Sequence, residues 1–444
     1  MAPRVMIDGF NLALEQGTGV STYARNLSYR LGALGAEVEV LYGRRVLATW
    51  SPLMREVAFF DDQPVGRRGP FQATRATLRM LMAGFGQRPV EIPVSGAVVT
   101  DTYAAQLPYF DRLWNSEELF NRAHNRFRMF KTQVPVRMAS PPALMHWTYP
   151  LSLNVPGARN IYTLHDLVPL RLPFTTLDQK RRYFRLCRTI VQSADHIVTV
   201  SEASRADIIN LLGCPPEKVT NTYQSVEIPP RLANKPMDAV RDELMGAFGL
   251  PLGGYHLFFG AVEPKKNLAR LIEAYLASEV ETPLVIVGKD AWKSEDELRL
   301  LGADHLKVFM PRKGGYVRER RVMRHRYAPF RLLVSLIRGA KAVFFPSLYE
   351  GFGLPALEAM SLGTPVMTSN TSSLPEVVGE AAVKVDPYDV RAMVEGIRAL
   401  DRDAELRAHL SEAGRARAAT YSAEAYERRL SDLYARLGVA LPNG

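Results

Sequence analysis

Phe344-Phe345-Pro346-Ser347-Leu348-Tyr349-Glu350-Gly351-Phe352-Gly353-Leu354-Pro355-Ala356-Leu357-Glu358-Ala359-Met360 reads as a buried strand, a glycine-rich turn and the start of a helix. Pro355 suits the first helical turn, where its missing N–H is no loss, and Gly363-Thr364-Pro365 supplies a stop. A strand resumes at Val366-Met367, completing a strand-loop-helix-strand unit. In open α/β sheets such a unit turns its helix N-terminus toward the crevice at the carboxyl end of the strand, where phosphorylated ligands bind. Glu350 and Glu358 flank that turn. Carboxylates beside an anion site suit a ligand with both hydroxyls and phosphates, such as a nucleotide sugar.

Working outward, Leu257-Phe258-Phe259-Gly260 is a strand, Ala261 to Lys266 a loop, and Asn267 the expected N-cap of a helix with Leu268, Leu271, Ile272 and Tyr275 on one face. Lys265 and Lys266 before that helix reinforce its positive end. As bare sequence, a lysine pair equally fits a solvated surface. Toward the N-terminus a second α/β series begins at the Val5–Asp8 strand, with Gly17-Thr18-Gly19 opening a helix at Ser21 and a strand at Glu37 to Tyr42. His165-Asp166 and Ser201-Glu202 end the strands Asn160 to Leu164 and His196 to Val200, positions where function gathers in this architecture. Ser201 caps the helix that follows, and another helix spans about Asp178 to Ser193.

The chain of 444 residues is too long for one ordinary core, and Pro229-Pro230 is the best linker candidate. The expected division is an N-terminal domain over 1–228 with a helical insertion at about 50–145, a C-terminal domain over 229–420, and a last amphipathic helix over 421–444. Within the insertion, helical runs at Phe71 to Phe85 and Ser116 to Phe130 mix arginine with large apolar residues, as helices on an anionic membrane do and as ordinary surface helices also do. Residues 311–331 carry eight cations against Glu319 alone and read as a surface loop and helix, open to anionic lipid or simply solvated.

Cys187 and Cys214 are too few for a disulfide framework, which points to a reducing compartment, and no apolar run approaches a membrane span. A cytoplasmic protein, peripheral on the inner membrane face or free, is expected. The net charge of +10 invites nucleic acid, acidic lipid or phosphate-bearing substrates. No nucleic-acid motif accompanies it, so the last two remain.

Together these segments resemble the retaining glycosyltransferases of family 4, which have the GT-B fold of two Rossmann-like domains facing an interdomain cleft. The motifs are Glu350 to Glu358 with Gly-Phe-Gly-Leu-Pro between, Gly363 to Val366, Ser373 to Val377, Glu263 to Asn267, His165-Asp166 and Val200 to Glu202, in family order. The resemblance implies that Lys266, aided by Lys265, neutralises the leaving diphosphate, and that Gly19 offers its amide to the same phosphates. It gives Glu350 and the amides of Phe352, Gly353 and Leu354 the donor sugar, and Glu358 the ribose. His165 is placed near the reacting centre with Asp166 in support. One departure is Ala261, where many members carry an arginine.

No cofactor is implied, and no paired-aspartate motif for a metal is present. By resemblance to bacterial mannosyltransferases the donor is GDP-mannose, and the last helix returns to the first domain. The acceptor is a lipid-linked or oligosaccharide glycan. A UDP-sugar transferase and a non-catalytic nucleotide-sugar scaffold are the alternatives. An oxidoreductase is disfavoured because the first turn lacks the full Gly-x-Gly-x-x-Gly.

Overall fold

The computed structural model describes residues 2–12, 19–61, 83–99, 107–299, 307–312 and 315–444. Two parallel sheets carry the architecture. The first has eight strands, in spatial order Val219–Asn221, His196–Thr199, Arg159–Thr163, Leu144–Trp147, Arg4–Asp8, Glu37–Tyr42, Arg112–Asn115 and Val90–Ile92. Only the last pairing is antiparallel. The second has six, in the order Val322–His325, Leu284–Val287, His256–Phe259, Ala342–Phe345, Val366–Ser369 and Val383–Val385, all parallel.

Strands buried on both faces must be apolar throughout, and His256–Phe259, Leu284–Val287 and Ala342–Phe345 are buried at every position. Where a polar residue enters such a strand it needs a partner. His256 finds the Tyr275 hydroxyl at 2.8 Å, and burial holds its pKa down to about 3, so it is a neutral core histidine.

Each sheet reverses its strand order once, and the reversal leaves a crevice at the carboxyl ends of the two strands that flank it. In the first sheet the reversal falls between Arg4–Asp8 and Leu144–Trp147; in the second it falls between His256–Phe259 and Ala342–Phe345. Asp8, Thr148, Lys266 and Glu350 lie just at or beyond these strand ends.

The Pro229-Pro230 pair lies between the sheets, with Pro230 opening the short Pro230–Ala233 helix. The last helix, Ala423–Arg436, lies against Gly19–Ala33 of the first sheet's flank. Arg30 pairs with Glu427 at 2.8 Å, and Tyr434 shares a hydrogen bond of 2.7 Å with the buried His146.

Two expectations change. Among the described residues of 311–331 strands replace most of the expected loop and helix: Lys307–Arg312 and Gly315–Arg320 are an antiparallel hairpin, Val322–His325 is the edge strand of the second sheet, and a helix begins only at Phe330. Arginines dominate this segment, yet Val322 is buried and Val322–His325 pairs in parallel register with Leu284–Val287. A charged edge strand also protects the sheet from pairing with another chain. In the insertion, Leu119–Phe130 is the helix expected at Ser116 to Phe130, whereas Ala83–Phe85 is a single 3₁₀ turn and residues 71–82 lie outside the described residues. Among the described residues no helix is long and apolar enough to cross a membrane.

Candidate active site

The second sheet's crevice is built from two loops. The loop after His256–Phe259 ends in a 3₁₀ turn, Pro264–Lys266, that carries both lysines. The loop after Ala342–Phe345 carries Glu350. Lys266 Nζ donates to Glu350 Oε1 at 2.6 Å and lies 4.6 Å from the Phe345 ring centre, while Lys265 Nζ stands 3.7 Å from Glu350 Oε2 and 3.6 Å from Glu263 Oε1. All are largely buried. Burial opposes the charge on Glu350, but Lys266 and Lys265 together outweigh it, and the carboxyl stays below its ordinary pKa. Burial likewise opposes the charge on Lys265, and Glu350 and Glu263 outweigh it, leaving the ammonium above its ordinary value. A cluster of like and unlike charges therefore persists in the buried crevice. Cations and carboxylate satisfy one another, so Lys266 and Glu350 form one unit.

Asn267 differs from its expected role. It has left-handed backbone, φ 61°, and caps no amide. Its side-chain amide donates instead to the carbonyls of Pro346 and Pro387 at 3.1 and 2.7 Å, tying the lysine loop to the glutamate loop.

The glycine turn is braced from behind by two serines that sequence reasoning did not place in the site. Ser372 Oγ accepts the Glu350 amide at 3.0 Å, and Ser373 Oγ lies 3.0 and 2.7 Å from the Glu350 and Phe352 carbonyls. Phe352 packs on Tyr421 with ring centres 5.5 Å apart. Gly353, at φ 116°, then turns the chain into the Leu354–Ser361 helix. The amides of Phe352, Gly353 and Leu354 make no hydrogen bond among the described residues, as helix starts permit.

Gly19, the first residue of the Gly19–Ala33 helix, stands opposite: a Cβ there would lie 3.8 Å from Leu354 Cδ1. Two helix N-termini from the two sheets thus converge, and each favours an anion. Gly17 and Thr18 lie outside the described residues. Glu358 sits one turn into its helix, apart from the lysines, and its carboxylate makes no hydrogen bond or ion pair among the described residues. Burial alone raises its pKa to about 7.

The first sheet contributes His165 and Asp166. His165 Nε2 lies 2.9 Å from the Thr148 carbonyl, which can only accept, so Nε2 carries the proton and a neutral ring leaves Nδ1 as an acceptor. Burial pushes its pKa below the ordinary value, against that hydrogen bond and the Asp166 charge. Tyr23 meets the ring edge-on at 4.7 Å. Thr148 is itself held by Asp8, whose Oδ2 accepts the Thr148 amide and its hydroxyl, the latter at 3.0 Å. Asp8 is fully buried, and burial lifts its pKa to about 6. The Asp8-Thr148-His165 relay was not legible from the motifs, although an aspartate at the end of the first strand was a signal.

The two halves meet at Gly351. A Cβ there would come within 2.7 Å of the His165 carbonyl and 3.1 Å of Asp166 Cβ, so only glycine allows this approach. Ser204 Oγ reaches the His165 and Gly351 carbonyls at 2.9 and 3.4 Å. Ser201 caps its helix as expected, accepting the Ser204 amide at 3.0 Å. Glu376 crosses from the second half and accepts the Glu202 and Ala203 amides at 2.9 and 3.0 Å. Lys265, Lys266, Glu350, His165 and Asp166 therefore gather at one interdomain crevice, with Gly19 and Leu354 beside each other and Glu358 farther along the helix. Among the described residues no group of histidine, cysteine and carboxylate side chains has the form of a metal site.

This is the architecture of a GT-B glycosyltransferase. The chain belongs to the glycosyltransferase family described by two models lying side by side along it, "Glycosyl transferase 4-like domain" over residues 18–222 and "Glycosyl transferases group 1" over residues 253–417. It is 34% identical over 242 residues to the O-antigen chain mannosyltransferase B of Escherichia coli, covering 53% of this chain and 59% of that one. With the serotype-specific mannosyltransferase WbdA of the same species it shares 27% identity over 380 residues, covering 77% of this chain and 43% of the relative. The chain thus spans about half the length of these curated relatives. The structure superposes on sucrose-phosphate synthase from Thermosynechococcus elongatus with a TM-score of 0.63 at 17% identity, covering 99% of both chains.

Proposed function

We propose that the protein transfers a hexose, mannose from GDP-mannose, with retention of anomeric configuration, to a lipid-linked glycan of bacterial exopolysaccharide, capsule or O-antigen synthesis. The observation that carries this reading is the buried Lys266-Glu350 pair at a sheet reversal, facing His165 across Gly351. The named mannosyltransferase relatives support the choice of sugar.

When the bond from the anomeric carbon to the diphosphate breaks, negative charge grows on the departing oxygen. Lys266, Lys265 and the two facing helix starts are fixed where that charge would be stabilised. The phosphate then replaces Glu350 as the partner of Lys266, freeing the carboxylate for the sugar hydroxyls. Glu358 accepts the ribose hydroxyls, and His165 Nδ1 accepts a sugar hydroxyl near the reacting carbon. The acceptor hydroxyl bonds to the anomeric carbon on the face the diphosphate leaves, and its proton passes to the departing phosphate oxygen. Glu350, bound to Lys266, is a poor nucleophile for double displacement. The lysines supply the positive charge, and the scheme invokes no metal.

The test offers purified protein GDP-mannose, UDP-glucose and a lipid-linked glycan acceptor, and follows nucleotide release and product linkage by NMR. Release of GDP with an α-linked mannosyl product is the expected result. Binding of neither donor at millimolar concentration would overturn the reading, and turnover with UDP-glucose alone would replace the donor.

A further inference from the structure

A buried polar chain runs through the first sheet from the last helix to the reaction crevice. His146, in the Leu144–Trp147 strand, has Nδ1 2.7 Å from the hydroxyl of Tyr434 on Ala423–Arg436, and Nε2 2.8 Å from Thr163 Oγ1. Thr163 Oγ1 lies 3.0 Å from the Tyr23 hydroxyl, and the Tyr23 ring meets His165 edge-on with centres 4.7 Å apart. Tyr23, His146, Thr163 and Tyr434 are all buried. Thr163 closes the Arg159–Thr163 strand shortly before His165, and Tyr23 belongs to the helix that Gly19 opens.

Burial holds the His146 pKa down to about 3, so its ring is neutral. A neutral imidazole donates from one nitrogen and accepts at the other, which couples the bonds on its two sides. Cutting either bond leaves a buried polar atom short of a partner. Docking the last helix does not require this chain. Apolar groups of the same shape in place of both partners of a buried hydrogen bond can be nearly neutral, and the helix already buries Ala425, Leu430 and Leu433 and pairs Glu427 with Arg30 at 2.8 Å. What the chain adds is direction. It fixes the Tyr23 hydroxyl and with it the ring set against His165, while on the far side His165 Nε2 meets the Thr148 carbonyl at 2.9 Å. The imidazole is held between a fixed carbonyl and a fixed ring.

We propose that Tyr434 and Tyr23 are positioning residues for His165: through His146 and Thr163, the last helix holds the Tyr23 ring in the orientation that keeps His165 Nδ1 turned to the sugar. Only the sugar in that statement rests on the transferase reading; the placement of the ring does not.

The experiment follows the imidazole nitrogen NMR resonances of His165 in the full chain, assigned by their loss in His165→Ala, together with kcat and donor KM for GDP release from GDP-mannose. Thr163→Val cuts the chain at nearly constant volume, and Tyr434→Phe removes its far end. Each should shift the His165 resonances and lower kcat about five- to ten-fold, with donor KM within about two-fold of wild type. Thr163→Ser restores the hydroxyl and should return both readouts to near wild type. Glu427→Ala, which loosens the same helix through a different contact, should change neither. The proposal is overturned if either readout stays at its wild-type value in both cut variants, or if Glu427→Ala moves them as much. Should Tyr434→Phe fail to fold, the two Thr163 variants decide the matter. Failure of the transferase reading shows separately, as wild type that turns over no donor, and the resonances alone then decide the placement of His165.

Discussion

At the residue scale the chemistry turns on charges that lack water. Lys266 and Glu350 form a buried pair, and removing one member leaves the other charged in the crevice. Loss of a buried partner typically costs about 3–5 kcal/mol. Lys265 stands 3.7 Å from the same carboxylate and offsets part of that. Lys266→Ala is therefore expected to lose about 2–3 kcal/mol in denaturant unfolding, and kcat/KM should fall by about 10²–10³ through lost charge stabilisation. Unchanged kinetics in a folded Lys266→Ala variant would remove the lysine from the mechanism.

Glu358 gives a prediction in pH. The folded protein holds its proton to about pH 7, above the ordinary glutamate value of 4.5. Native protein therefore binds more protons than unfolded chain within that window, and stability falls as pH rises through it. Glu358→Gln should stabilise the free protein at pH 8 by about 1–2 kcal/mol, less than the full shift because part of the side chain meets solvent. No gain is expected at pH 4. The same variant should bind donor more weakly, and wild-type donor affinity should rise with pH toward 7 as the accepting carboxylate forms. Calorimetric titration at three pH values checks the slope, and a flat profile would separate Glu358 from the ribose.

At the scale of elements, the turn between Ala342–Phe345 and Leu354–Ser361 matters because it brings backbone, rather than side chains, to the crevice. Its shape is held by Ser372 and Ser373, and its contact with His165 depends on the missing Cβ of Gly351. Gly351→Ala should push the turn from His165 by several tenths of an ångström or more. Such displacement of reacting groups commonly lowers rates about 10²-fold. The expected outcome is a large fall in kcat with little change in thermal midpoint, since the collision is at the crevice and not in either core. Ser373→Ala removes one brace and should lower stability by about 1 kcal/mol with a smaller kinetic effect; an equal kinetic loss in both variants would mean that the turn, not the approach, is what Gly351 protects.

At the scale of the whole molecule, the halves are joined by contacts between remote parts of the chain. Glu376 accepts two amides at the start of Glu202–Leu212, Trp292 donates to the Thr175 carbonyl at 2.7 Å, and the last helix packs against Gly19–Ala33. Glu376→Ala deletes a carboxylate from a helix N-terminus, worth about 1 kcal/mol. The variant should show a larger radius of gyration by solution scattering and a several-fold higher KM for donor, with kcat less affected. Unchanged scattering and KM would show that Glu376 does not hold the halves together.

The sequence alone determined what short-range physics controls. Apolar runs marked the parallel strands, proline and glycine bounded Leu354–Ser361, and Ser201 announced its cap, because each signal acts within a few residues. Ordered motifs also carried the family. Only the tertiary structure decided the partners. Lys266 and Glu350 are 84 residues apart, Thr148 and Asp8 are 140 apart, and no periodicity links them. The arginine-rich residues 311–331 misled for the same reason: their charge spoke for exposure, whereas Val322–His325 is a strand because Leu284–Val287 offers it an edge. Asn267 looked like a cap and became a tie between loops, since the two carbonyls it binds come from distant parts of the chain. Local propensity fixes most of the elements, but an edge strand such as Val322–His325 and a site assembled where two sheets meet depend on packing that brings remote residues together.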